Sequence, residues 1–129
     1  KKNVPSGYVL FFFVTHMSNG LAGPTTPYER MYQDIRCIFS CDDFSVAVHE
    51  KKVNCCVVRF FSDPDALNIL FQSLKDIYLV ESVSYEGNHA YMIHFKEGVH
   101  KKQRDALAKE VEGVVRTFFM TVRLMDLKN

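Results

Sequence analysis

The apolar positions along this chain alternate between a period of two and a period near 3.6, and the switches divide it into elements. Tyr8–His16 is apolar on both alternations, with Val9, Phe11 and Phe13 against Tyr8, Leu10, Phe12 and Val14. That pattern predicts a central strand covered on both sides. Asn19-Gly20 and Gly23-Pro24 then mark a loop over Ser18–Thr26. Thr26 as N-cap, Pro27 at the first helical position and Glu29 three residues past the cap form a capping box. Tyr28, Met31, Tyr32, Ile35, Ile38 and Phe39 follow it at helical spacing, which predicts a helix ending near Ser40.

Phe44–His49 and Val53–Phe61 are rich in β-branched residues and flank the polar turn Glu50-Lys51-Lys52, a hairpin pattern. Ser62-Asp63-Pro64-Asp65 predicts the start of a second helix, with Leu67, Leu70, Phe71, Leu74 and Ile77 as its buried stripe. Leu79–Tyr85 and His89–Phe95 read as strands joined tightly across Gly87-Asn88. A third helix is expected from about Val99 to Glu112, stopped by Gly113, and a last strand over Val114–Met125. The expected order is β-α-β-β-α-β-β-α-β: an α+β domain with a mixed, mainly antiparallel sheet and three helices. Residues 1–129 show no internal repeat or linker and read as one domain. The chain starts at Lys, which reads as a fragment of a longer protein.

From Val53 onward the order β-α-β-β-α-β resembles the ferredoxin-like sandwich, whose members include RNA-recognition (RRM-like) domains. The resemblance spans about the last 75 residues and rests on element order alone. It implies an open sheet face with stacking aromatics on the two middle strands. Here that strand reads Asn88-His89-Ala90-Tyr91-Met92-Ile93-His94-Phe95, with Tyr91 and Phe95 in phase with Ile93 on the expected core side. The outward phase of the first strand is Cys55, Val57, Arg59 and Phe61, again without a central stacking ring. The metal-carrier loop, the phosphate loop and the acylphosphatase-like arginine loop of related families are also missing.

Eleven Phe and six Tyr, with no Trp, make the expected core aromatic. A net charge of +1 supplies no global field for nucleic acid or an acidic membrane. The apolar run Tyr8–Val14 is far shorter than a membrane span, so no membrane insertion is expected. Adjacent Cys55 and Cys56 in a strand point to opposite faces, a poor disulfide framework. Reduced cysteines and a cytoplasmic or nuclear setting are expected.

No catalytic motif surrounds His16, His49, His89, His94 or His100, and no cofactor is implied. Cys37 and Cys41 with Cys55 or Cys56 lack the paired short-spacing knuckles of a zinc site, so packed thiols are favoured roughly nine to one. Lys96, His100, Lys101, Lys102 and Arg104 gather where the third helix is expected to begin, an unfavourable end of its dipole for cations. A solvated helix face is favoured there, and Lys96, Lys101, Lys102 and Arg104 are the candidate nucleic-acid contacts of the alternative. The last strand's phase Thr117, Phe119, Thr121, Arg123, beside Val57, Arg59, Phe61 and Met92, predicts a semi-apolar sheet face. Such a face is covered either by the N-terminal segment or by a partner. The expected function is therefore a non-enzymatic protein-interaction or assembly domain, binding a partner or a second copy through Arg59, Phe61, Phe119 and Arg123. An RNA-binding module and a small-ligand regulatory domain are the alternatives.

Overall fold

The computed structural model describes residues 33–128. The expected strand Tyr8–His16, the loop after it and the capping box at Thr26 lie outside the described residues. Among the described residues the order is β1 (Ile35–Ser40), β2 (Phe44–His49), β3 (Cys55–Phe60), α1 (Leu67–Lys75), β4 (Val80–Gly87), β5 (Ala90–Phe95) and α2 (Lys101–Lys128). The strands form one five-stranded sheet in the order β1-β2-β3-β5-β4, with every neighbouring pair antiparallel.

Two hairpins and one helix form where their patterns predict. The β2–β3 hairpin forms in the register that sets Val46 opposite Val58 and Val48 opposite Cys56. The β4–β5 hairpin turns at Gly87, Asn88 and His89, all at positive φ, a conformation in which glycine and asparagine are at ease. In α1, Leu70 and Leu74 are buried as the stripe requires. This helix starts later than expected, however, because Ala66 rather than Ser62 or Asp63 is its N-cap, in a left-handed conformation with no side-chain cap.

Two elements correct the sequence reading, and with them the fold class. Ile35–Ser40, expected as the end of a helix, is a strand paired with β2; Asp34, at φ 66°, breaks the chain direction just before it. Ile35 and Cys37 fall on one side of the sheet and Ile38 and Phe39 on the other. Val114–Met125, expected as a strand, is the second half of α2. Leu107, Ala108, Val111, Val115 and Phe119 are all buried at helical spacing, so one stripe runs straight through Gly113. That continuous burial outweighs the local cost of a helical glycine, about 1 kcal/mol.

The described residues thus hold two helices, not three, and an antiparallel sheet, not a mixed one. The ferredoxin-like, RRM-like βαββαβ arrangement is not formed. A returning last strand would need a place in the sheet, and both edges of β3 are taken, by β2 and β5.

The helices pack on one face of the sheet. There Phe44, Val46, Val48, Cys56, Val58, Phe60, Tyr91, Ile93 and Phe95 meet Leu70, Leu74, Val111, Val115 and Phe119. Phe119 stacks on Phe44 at 5.7 Å between ring centroids and lies 6.0 Å from Phe60. Such ring pairs add about 0.5–1.5 kcal/mol beyond the area they bury.

An unbroken α2 makes a testable demand on Gly113. No atom lies within 4 Å of a Cβ built there. Gly113→Ala should therefore stabilise the protein by about 0.5–1 kcal/mol, read as a higher denaturation midpoint with unchanged slope. A loss of stability would mean that the helix stops at this position.

Candidate functional site

α2 is 28 residues long, about 42 Å, whereas β2, β3 and β5 are six residues each, about 20 Å. The helix therefore outruns the sheet. Its buried stripe ends at Phe119, and the following turns expose Met120 (54%), Leu124 (60%) and Met125 (61%). Large apolar side chains clustered in exposed positions on one helix are unusual for a surface.

Beside them a cleft of about 490 Å³ opens between the β1–β2 turn and α2, bordered by Phe39, Asp43, Arg116, Met120 and Arg123. Its floor is aromatic, with Phe39 and Phe44 centroids 5.3 Å apart. Its rim is charged and held in place. Arg123 is ion-paired with Asp43 across 80 residues of sequence. Arg116 bonds Glu112 one turn back at 2.6 Å and lies 5.9 Å from the Phe39 ring. The Glu112 hydrogen bond raises the Arg116 pKa further and keeps its charge fixed. A second groove, of about 680 Å³, runs between the helices beside Ser73, Val114 and Phe118.

The four residues proposed from sequence as a partner surface are not brought together. Phe119 is almost wholly within the core, and Arg123 is exposed on the same helix. Arg59 lies half-buried on the sheet face opposite the helices, in phase with Cys55 and Val57, and Phe61 follows the end of β3. Grouping them required residues 114–125 to be a strand.

The basic residues proposed as nucleic-acid contacts also have separate settings. Arg104 is fully buried, donating from Nη1 to the His49 carbonyl at 2.6 Å and from Nε to Asp105 at 2.8 Å, with Nη2 unpartnered. Lys101 pairs with Glu50 at 3.6 Å, and Glu50 also holds Arg36 at 2.7 Å. Lys96 stands 5.9 Å over the Tyr78 ring. Lys102 is exposed.

Reactive groups are arranged structurally. Ser84 donates to Glu86 at 2.8 Å and stands 3.0 Å from His94 Nε2. A catalytic serine donates its hydroxyl hydrogen bond to the histidine, whereas the Ser84 hydroxyl donates to the Glu86 carboxylate. Burial pushes the Cys55 and Cys56 thiols up, which disfavours the nucleophilic thiolate. All four cysteines are free, with Cys55 and Cys56 on opposite sheet faces. Among the described residues no three His, Cys, Asp or Glu side chains gather as a metal site, and no helix is long and apolar enough to cross a membrane.

Sequence reasoning missed Asp43, Arg116, Met120 and Leu124 as neighbours of Arg123. The available signal was the helical period from Leu107 to Phe119, which carries through to the exposed turns. Comparison of the chain with protein-family models, characterised proteins and solved structures gave no match.

His49 supplies a pH test of the hairpin behind α2. Its Nδ1 accepts hydrogen bonds from the Lys51 and Lys52 amides, both at 3.1 Å, which requires a neutral ring. Burial foremost, then the charge of Lys52, lowers its pKa; Lys51 and Arg104 add to this and Asp34 opposes it. With the folded pKa depressed, the stabilisation is complete above the unfolded value of about 6.5 and is lost as pH falls below it. His49→Asn offers a non-titrating acceptor in nearly the same place. Denaturant midpoints across this range should fall with acid in the parent and stay flatter in the variant; equal slopes would contradict the assignment.

Proposed function

We propose that this chain is a non-enzymatic protein-interaction domain of a larger assembly, docking a partner along the exposed C-terminal half of α2. The observation that carries the reading is the exposure of Met120, Leu124 and Met125 on a helix that has outrun its own sheet. Methionine and leucine on a helix suit the apolar face or groove of another protein, and methionine adapts to imperfect shapes. The neighbouring cleft adds Arg116 and Arg123, and arginine is over-represented among residues that dominate interface energy. The partner expected is a protein segment with an apolar strip and acidic flanks.

This reading keeps Arg123 in the interface and gives Phe119 a supporting role, holding the helix to the sheet from beneath. Arg104 has no exposed atoms to offer a phosphate, and Lys101 is already paired. The RNA alternative is accordingly the less supported.

The full-length protein should be used as bait beside two variants, Met120→Glu/Leu124→Glu and Lys101→Glu/Lys102→Glu, and the captured partner then purified and titrated. The α2 variant should weaken that partner by about tenfold or more, since hot-spot losses are about 2 kcal/mol, while the lysine variant binds as the parent does. Salt-sensitive RNA binding abolished by the lysine variant alone would overturn the proposal.

A further inference from the structure

The two arginines on the rim of the α2 cleft are held in different ways. Arg116, Met120 and Arg123 follow one another at helical spacing and so share one face of α2. Arg116 is paired with Glu112 of its own helix, whose side chain is only 9% exposed. Parting them would leave a nearly buried carboxylate without its cation, so this pair stays closed. Arg123 is paired instead with Asp43 of the β1–β2 turn, across the cleft. Here the side chains are 59% and 23% exposed, and ion pairs open to water hold weakly.

We infer that Asp43 stands in for a carboxylate of the docking partner, which takes its place on Arg123 while an apolar side chain beside it enters the cleft over Phe39 and Phe44. The inference rests on the proposed docking role of α2 and specifies the chemistry recognised there. Charge complementarity carries it. Asp43 is bonded through Nη2 of Arg123, whereas a carboxylate free to approach in the guanidinium plane can bond two of its nitrogens, a stronger arrangement. The exchange therefore costs little and returns a better-formed pair. The acid that matters is the one facing Arg123, since Glu112 already satisfies Arg116.

The cleft supplies the apolar half of the site. Phe39, Phe44 and Phe119 line it with Met120 alongside, and the Phe44 ring contacts both of the other rings. Asp42 and Asp43 also border it, so an arriving acid meets both a competitor for Arg123 and a like charge. Removing the Asp43 charge lowers both obstacles, which fixes the sign of the effect: binding tightens.

A phage-displayed library of random peptides serves as the probe, selected on the full chain and counter-selected on its Met120→Glu/Leu124→Glu variant. Recovered peptides should carry an Asp or Glu within one helical turn of a large apolar residue. Once synthesised, they should bind the Asp43→Asn chain about threefold more tightly or better than the parent. They should bind the Arg123→Gln chain about tenfold more weakly or worse. Exchanging the peptide's acid for its amide should cancel the gain from Asp43→Asn. Peptides that need the α2 face yet lack an acid, or are indifferent to Asp43→Asn, overturn the inference and leave the docking role standing. A counter-selected pool with no binders overturns both. Self-association of the parent by light scattering, abolished by Met120→Glu/Leu124→Glu, would seat a second copy in the cleft and also overturn the inference.

Discussion

The fold depends on one contact, the seating of a single unbroken helical stripe on one face of an antiparallel sheet. Leu107, Ala108, Val111, Val115 and Phe119 line one face of α2 over successive turns, Leu107 and Ala108 sharing the first, and meet the large side chains of β2, β3 and β5. Stacking of Phe119 on Phe44 closes this contact at the β1–β2 end. Arg104 closes it at the other end, by donating to the last carbonyl of β2. Because the stripe ends where the sheet ends, the remaining turns of α2 have no internal surface to cover. The same packing that stabilises the core therefore produces the exposed apolar turns.

The two faces of the sheet divide the work by side-chain size. The helix side carries phenylalanines, Tyr91 and β-branched residues, which suit the ridges of a helix. The far side carries a smaller cluster without aromatic rings, Ala47, Cys55, Val57, Ala90 and Met92. Of the buried polar residues, Ser45 and His49 lie near the two ends of β2 and Arg104 and Glu112 on α2. His49 caps the β2–β3 turn through its ring and receives Arg104 through its carbonyl, so one residue joins hairpin and helix.

Much of the sheet was readable from sequence, and the misreadings share a cause. The β2–β3 and β4–β5 hairpins announce themselves by β-branched runs and by turn residues such as Gly87 and Asn88. The stripe of α1 was readable because its leucines match only a helical period. In α2, however, Val114, Val115, Thr117, Thr121 and Val122 favour a strand locally, and Gly113 imitates a helix end. Tertiary burial overrides both preferences. Ile35–Ser40 fails in the opposite sense, since Ile35, Ile38 and Phe39 fit a helical spacing while Asp34 breaks the chain before them. The candidate site suffered most. Phe119 and Arg123 were singled out for a sheet face, and their actual neighbours are visible only once the segment is helical.

The central claim is that α2 continues as one helix from Lys101 past Gly113 into the exposed turns. Backbone chemical shifts of the full-length protein by solution NMR test it most directly. The account predicts helical Cα shifts without interruption from 101 to 126, with slowest amide exchange around Val111–Phe119, where the stripe is buried. Extended shifts over Val114–Met125, or a coil break at Gly113, would contradict it.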